Sequence, residues 1–273
     1  MLTFLTVEKP KKRGALFLRN KVYVEEKEAQ GIKVKHIRYI QKSKKIRWDK
    51  IKKFSLEESG RLLVSEELEL PENSGLMRFE SSALKERLCL NTATSVLETI
   101  KAQRCKVKVA VYDPDGLVVD SAEALLRFAD TITIVTRMTG FYSAEAQRIM
   151  DERGAVLKVS RSTESLASAQ LVVAPQVLIK ELPLNKQAVV LTVAKPQVSQ
   201  KCRVLSGYDF ALSEETEALI PRGFDKVYFA SALYTLCRRF DLGSVVPRVI
   251  EGEGVSYTQE SLAKYLINIC ENT

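Results

Sequence analysis

The stretch VAVYDPDGLVVDSAEALLRFAD, residues 109–130, joins an apolar strand to an amphipathic helix through a short acidic turn. Four strand-forming residues precede Asp113, and apolar side chains recur at helical spacing in the second half of the stretch. The turn between them contains Asp113, Asp115 and Gly116, and an Asp-Gly pair is a frequent turn signal. The stretch therefore predicts the first strand-to-helix unit of an α/β domain.

The same rhythm continues along the chain. The segments DTITIVTR, AVLKVS, QLVVAP and KQAVVLTVA predict further strands, and SAEAQRIMDERG predicts a helix that ends at Gly154. Short apolar strands that alternate with helices favour parallel pairing with right-handed crossovers. The strands are apolar almost throughout, as expected when helices cover both faces of a sheet. We therefore predict an α/β fold with a Rossmann-like parallel sheet and helices on both of its faces.

Two segments beyond the turn carry a resemblance to a known family. ADTITIVTRMTGFYSAEAQRIMDERGA (129–155) resembles the second strand and helix of Rossmann-type dinucleotide-binding domains of the shikimate dehydrogenase, glutamyl-tRNA reductase and methylenetetrahydrofolate dehydrogenase kind. STESLASAQLVVAPQVLIKELPLNKQAVVLTVAKP (162–196) is similar to their later strands and substrate loop. The resemblance implies an NADP cofactor whose 2′-phosphate contacts Arg137. In place of the family's glycine-rich first turn, this chain has a turn with one glycine, Gly116, and with carboxylates that would repel a pyrophosphate.

The sequence VYDPDGLVVDS also resembles the first motif of the haloacid dehalogenase superfamily of phosphatases and mutases. That resemblance implies a Mg²⁺-dependent phosphohydrolase in which Asp113 is the nucleophile and Asp115 the general acid/base, and both carboxylates hold the metal. Thr136, at the end of the next strand, is similar to the hydroxyl that binds the phosphoryl group in that family. The candidates for the family's later lysine and acidic residues are Lys158, Lys195, Glu164 and Asp209.

A third interpretation gives the turn a structural role, because Asp and Ser at a helix start cap unpaired backbone amides. On this basis we predict a binding or regulatory protein with a degenerate, non-catalytic Rossmann-like domain. A Mg²⁺-dependent phosphohydrolase that uses Asp113 and Asp115, or an NADP-binding oxidoreductase, remains the alternative. The residues predicted to bind the ligand are Gly116, Asp120, Ser121, Thr136 and Arg137.

Composition excludes several classes of site. The chain has 273 residues and a single histidine, His36, which argues against a zinc centre and against Ser-His-Asp or Cys-His catalysis. Its five cysteines are scattered, which is typical of reduced thiols. No apolar run reaches the length of a membrane-spanning helix, and the first residues lack the charge order of a secretory signal. We therefore predict a cytoplasmic protein with no membrane contact.

Charge is concentrated near the amino terminus. Residues 1–62 contain 18 Lys and Arg against 7 Asp and Glu, a net charge of +11, whereas the whole chain carries +8. Such a segment could bind nucleic acid or an acidic partner. The alternative is a small β domain that uses lysine for solubility and to protect sheet edges.

These patterns predict four parts of the chain. Residues 1–75 form a small, basic, mostly-β domain in which IKVKHIRYI (32–40) alternates as a strand does. Residues 76–105 form a helical connector. Residues 106–215 form the Rossmann-like domain, and residues 216–273 supply carboxyl-terminal helices that pack on it.

Overall fold

The structure, a computed structural model, describes residues 1–9, 20–42, 45–55, 61–65, 67–102, 107–119, 122–129, 131–237 and 242–271. Its strands are β1 (Leu2–Glu8), β2 (Lys21–Ala29), β3 (Ile32–Ile40), β4 (Arg61–Val64), β5 (Met77–Arg78), β6 (Val109–Tyr112), β7 (Thr131–Val135), β8 (Val156–Ser160), β9 (Leu171–Ala174), β10 (Val189–Thr192), β11 (Arg203–Leu205), β12 (Gly207–Asp209), β13 (Val249–Gly252) and β14 (Val255–Tyr257). Its helices are α1 (Trp48–Ser55), α2 (Ala83–Ala102), α3 (Ala122–Leu125), α4 (Thr139–Arg153), α5 (Glu214–Glu217), α6 (Lys226–Leu236) and α7 (Gln259–Glu271).

The chain divides into two units, and their boundaries differ from those predicted. One unit combines residues 1–81 with 212–242, and the other combines residues 82–211 with 243–273. Helix α6 belongs to the first unit because its apolar residues join the amino-terminal core, where the ring of Phe229 stacks 5.9 Å from that of Phe4. Helix α2, predicted as part of a connector, belongs to the second unit and packs on α7 and on strands β9 and β10.

The first unit is built on a five-stranded sheet in the order β2–β3–β1–β4–β5. Strands β2 and β3 form an antiparallel hairpin, whereas β1 runs parallel to both of its neighbours. Alternate side chains of these strands enter a core that includes Leu5, Ile37, Tyr39 and Leu62, and α1 adds Ile51 to it. The prediction of a small, mostly-β amino-terminal part is confirmed.

The second unit contains a six-stranded, entirely parallel sheet in the order β11–β10–β9–β6–β7–β8. Counted from β6, the first strand of this sheet along the chain, this is the 3-2-1-4-5-6 order of the Rossmann fold. The residues of β6, β9 and β10 are buried throughout, as the unbroken apolar runs predicted. The Rossmann-like fold class is therefore confirmed. The strand order reverses direction between β6 and β9, which creates a topological switch point at the carboxyl ends of these strands.

None of the helices in the described part of the chain combines the length and the hydropathy that crossing a membrane requires.

The single histidine lies in the sheet of the first unit and makes stability depend on pH. His36 on β3 is half-buried, and its Nε2 atom lies 3.0 Å from the hydroxyl of Thr6 on the neighbouring strand. Burial lowers the pKa of His36 below 6.5 and is the largest effect; Glu25 and Glu8 oppose it, whereas Arg38 and Lys27 add to it. In the unfolded chain His36 keeps its ordinary pKa of 6.5, so as the pH falls below this value the unfolded chain binds a proton more readily than the folded protein. The free energy of unfolding therefore decreases.

We therefore expect the wild-type protein to lose stability in urea titrations between about pH 7 and pH 5.5, where acidic side chains stay ionised. A His36→Gln variant removes the titrating group and should give a flatter profile over the same interval. Equal slopes for the two proteins would contradict this assignment.

Candidate functional site

A cleft of about 370 Å³ opens at the carboxyl ends of the parallel strands in the second unit. Its walls include Tyr112 at the end of β6, Val135 at the end of β7, and the loop that follows β9. Open α/β sheets bind ligands at this edge, beside the point where the strand order reverses. The cleft is therefore the place where this fold would hold a small molecule.

The cleft is strongly basic. Its charged lining side chains are three cations, Arg137, Arg161 and Lys180, and one carboxylate, Asp115. Arg137 and Asp115 form an ion pair, but their side chains are 75% and 52% exposed, so solvent weakens their attraction. Among the described residues no carboxylate forms an ion pair with Arg161 or Lys180, and the four charges leave an excess of two positive charges.

The remaining contacts of Arg161 and Lys180 are weak. A guanidinium N–H of Arg161 donates to the hydroxyl of Thr139 over 3.2 Å. The ammonium of Lys180 lies 5.8 Å from the centre of the Tyr112 ring, a cation–π contact. Both cations therefore retain hydrogen-bond donors for a ligand. Hydroxyl and amide groups of Thr136, Thr163 and Gln176 also line the cleft.

The loop that carries Lys180 is fixed although it has no regular secondary structure. Leu178 and Leu182, on either side of Lys180, are buried in the core beneath the sheet edge. The buried side chain of Gln200 accepts the backbone N–H of Leu182 at 3.0 Å and donates to the carbonyl of Lys180 at 2.9 Å. Lys180 thus projects from a well-supported backbone.

Asp113 lies next to the cleft, but its side chain points into the protein. It is fully buried, and its Oδ1 and Oδ2 atoms accept the backbone N–H groups of Leu117 and Val118, each over 2.9 Å. The phenol of Tyr142, also fully buried, donates to Oδ2 over 2.6 Å. Three donors therefore engage both oxygens of the carboxylate and join the β6 turn to α4. Asp113 holds this turn in place, and its oxygens face backbone amides and a phenol.

The turn itself depends on a glycine. Gly116 has a φ of 75°, in the left-handed region that favours glycine. A Cβ atom at this position would lie 3.4 Å from the side chain of Met138, at the end of the neighbouring β7 segment. The amide of Arg137 donates to the carbonyl of Pro114 over 3.3 Å, so the turn and the loop after β7 form one wall of the cleft.

The predicted ligand-binding residues have different outcomes. Thr136 and Arg137 line the cleft, and Gly116 shapes the turn at its edge without lining it. Asp120 and Ser121 lie outside the described residues. Of the two carboxylates in the phosphohydrolase interpretation, Asp115 borders the cleft, whereas Asp113 is enclosed by its three donors. The candidates for the later motifs, Lys158, Lys195, Glu164 and Asp209, do not line the cleft.

Over the described residues, no group of three or more His, Cys, Asp or Glu side chains is arranged to hold a metal ion. Two cysteines of this unit are also poor nucleophiles. Burial raises the pKa of the Cys89 thiol to about 12 and that of the Cys202 thiol to about 11. Both thiols therefore stay protonated near neutral pH.

Arg161 and Lys180 were not among the residues predicted from the sequence. Arg161 directly follows β8, as Arg137 follows β7 with one residue between, so the rule that ligands bind at carboxyl ends of strands was sufficient to find it. Lys180 lies six residues beyond β9 in an irregular loop, and nothing in the local pattern indicates its direction.

No protein-family model matches the chain, and no curated protein matches it. Among solved structures, the chain is similar to an archaeal alanine dehydrogenase dimer with bound NAD (15% identity, 36% of this chain and 34% of that one, TM-score 0.27). It is also similar to quinate dehydrogenase from Corynebacterium glutamicum in complex with NAD (16% identity, 38% of this chain and 43% of that one, TM-score 0.29). A third similar structure is shikimate dehydrogenase from Aquifex aeolicus (17% identity, 38% of this chain and 41% of that one, TM-score 0.25). The matched part thus spans less than half the length of each of these dehydrogenases.

Proposed function

We propose that the Rossmann-like unit is a binding module for a small phosphorylated ligand, whose phosphoryl group contacts Arg137, Arg161 and Lys180. One observation carries the proposal: these cations line a single cleft at the carboxyl edge of the sheet, opposed by one carboxylate. Guanidinium and ammonium groups form strong, charge-assisted hydrogen bonds with phosphate oxygens. Thr136 and Thr163 also lie on the walls of this cleft.

Binding fits this cleft better than catalysis. Its lining contains Asp115 as the single carboxylate, and Asp115 is paired with Arg137. Neither histidine nor cysteine lines it in the described part of the chain, so catalysis there would depend on Lys180, Tyr112, Asp115 or a threonine hydroxyl. Asp113, which a phosphohydrolase would need as its nucleophile, already accepts three hydrogen bonds. A regulatory or ligand-sensing role is therefore the function that we propose.

Neither cofactor raised by the sequence resemblances fits the turn after β6. A Mg²⁺ ion would compete with the amides and the phenol that donate to the fully buried Asp113 carboxylate. The pyrophosphate of NADP would meet the Asp115 carboxylate, and the amides of Leu117 and Val118 already donate to Asp113. Arg161 and Lys180 line the same cleft from the segments after β8 and β9, and among the described residues neither forms an ion pair with a carboxylate.

The proposal is tested by titrating the full-length protein with 2′-AMP, 5′-AMP and adenosine, followed by isothermal calorimetry and thermal shift. We expect at least one nucleotide to bind, adenosine not to bind, and affinity to fall as salt is added. Arg161→Ala and Lys180→Ala should each weaken binding about tenfold or more, because each removes a charge-assisted hydrogen bond of roughly 1.5–3 kcal/mol.

Matched controls are Arg127→Ala and Lys186→Ala, which remove exposed cations. These residues precede β7 and β10, at the amino ends of the strands, whereas the cleft lies at their carboxyl ends. These variants should bind within about twofold of the wild type, since a charge more than about 10 Å away is screened at 0.1 M salt. The proposal fails if no phosphorylated probe binds, or if control and cleft variants weaken binding equally.

A further inference from the structure

We infer that the Asp113 carboxylate occupies, from within the chain, the place where other Rossmann domains hold a ligand's pyrophosphate, so that this unit selects a ligand with a single phosphoryl group over a dinucleotide. The inference rests on the proposed function, because it assumes that the basic cleft binds phosphate. The turn in question lies between β6 and α3, and none of the three cationic residues belongs to it.

The backbone donors of the turn are already engaged within the chain. In a Rossmann domain the amides that follow the first strand donate to the pyrophosphate. Here the amides of Leu117 and Val118 donate to the two oxygens of Asp113, each over 2.9 Å. The same kind of donor that would bind an external anion is thus engaged by an internal one.

The Asp113 carboxylate is firmly held in this position. Asp113 and Tyr142 are both fully buried, and the phenol donates to the carboxylate over 2.6 Å. Tyr142 lies on α4, so the carboxylate is fixed by two different segments of the unit. An external phosphate could not displace it without leaving a buried carboxylate and a buried phenol unpaired, which is costly.

The charge of the cleft matches a single phosphoryl group. Arg137, Arg161 and Lys180 against Asp115 leave two positive charges. A phosphate monoester carries about −1.5 to −2 charges near pH 7, which matches this excess. The added pyrophosphate of a dinucleotide would lack matching cations and would lie near the carboxylates of the turn.

The test compares 2′-AMP with NADP⁺ and NAD⁺ on the wild-type protein by isothermal calorimetry. NADP⁺ contains the whole of 2′-AMP plus a pyrophosphate and a second nucleoside, and NAD⁺ lacks the 2′-phosphate. We expect NADP⁺ to bind more weakly than 2′-AMP, and NAD⁺ to bind at least 30-fold more weakly than 2′-AMP.

NADP⁺ binding as tightly as 2′-AMP, or more tightly, would overturn this inference and leave the proposed function standing. Absence of binding by 2′-AMP, 5′-AMP and NADP⁺ alike would overturn the proposed function, and this inference with it.

Two further measurements address the turn directly. In amide exchange monitored by NMR, Leu117 and Val118 should be protected in the ligand-free protein, and 2′-AMP at saturation should leave their protection unchanged. Asp113→Gly should raise the affinity for NADP⁺ relative to 2′-AMP by releasing the two amides. If that variant does not fold, the wild-type affinity ratio and the exchange rates decide the question. Rapid exchange of both amides in the ligand-free protein would contradict the inference.

Discussion

Asp113→Ala should lower the free energy of unfolding by about 4 kcal/mol, because it leaves two backbone amides and one phenol without their acceptor at a fully buried site. Asp113→Asn should cost about 2–3 kcal/mol, since its carbonyl still accepts hydrogen bonds while its NH₂ group faces a donor. Urea unfolding followed by circular dichroism measures both values. The matched control is Asp115→Asn, two residues away, whose half-exposed side chain should be worth less than about 0.5 kcal/mol.

A double-mutant cycle with Tyr142→Phe isolates the bond between the carboxylate and the phenol. We expect Tyr142→Phe to cost about 1–3 kcal/mol on its own, because it removes a charge-assisted hydrogen bond. In the Asp113→Ala background the same change should cost much less, because its partner is already gone. Additive effects, or equal costs for Asp113→Asn and Asp115→Asn, would contradict the role assigned to Asp113.

Gly252→Ala should destabilise the protein by about 3 kcal/mol or more, because the added methyl group meets backbone atoms that cannot move aside. A Cβ atom on Gly252 in β13 would overlap the carbonyl oxygen of Val204 and lie 2.9 Å from the Cα atom of Leu205. Strand β11, which carries both residues, is the edge strand of the parallel sheet. The substitution should therefore disturb β11, the edge strand at the other side of the sheet from β8.

Gly140→Ala is the matched control for this change. Gly140 lies in the first turn of α4, and a Cβ atom there meets nothing within 4 Å. Alanine should be neutral or stabilise the helix by up to about 1 kcal/mol. Chemical unfolding of both variants tests the pair, with soluble yield and limited proteolysis as the measure if Gly252→Ala does not fold. Equal stabilities of the two variants would refute the close approach of β13 to β11.

The parallel sheet was predictable because its central strands are buried on both faces, which leaves unbroken apolar runs such as those of β6 and β9. The residues after the strands were partly predictable for a similar reason. Thr136 and Arg137 follow a recognisable strand, and its carboxyl end must lie at the ligand-binding edge. Both line the cleft.

The orientation of Asp113 was beyond the reach of local pattern. An Asp-x-Asp-Gly turn after a strand is compatible with a nucleophile, a metal ligand or a structural acceptor. The deciding contact comes from Tyr142, 29 residues further along the chain. The boundary between the units was hidden in the same way, because the apolar residues of α6 fit either core, and distant contacts such as those of Phe229 with Phe4 and of Tyr228 with Phe79 assign them.

The basic amino-terminal segment stays a prediction as a partner-binding surface. Part of its charge is neutralised within the first unit, where Arg38 contacts Glu8 and Glu25, and Lys33 contacts Glu28. The net charge of +11 already includes these glutamates, so the segment keeps a positive long-range potential. The proposal that residues 1–62 attract nucleic acid or an acidic partner rests on that potential.

The carboxylate in the β6 turn also changes what this unit requires from its surroundings. A domain that depends on a cofactor gains stability in proportion to the logarithm of the cofactor concentration, about 2.7 kcal/mol at one hundred times the dissociation constant. An anion that is covalently part of the chain is present in every molecule, whatever the metabolic state of the cell. Asp113 and its three donors therefore order this turn as a bound anion would. The order of the turn does not depend on the concentration of a nucleotide. The turn can therefore be ordered before any ligand binds.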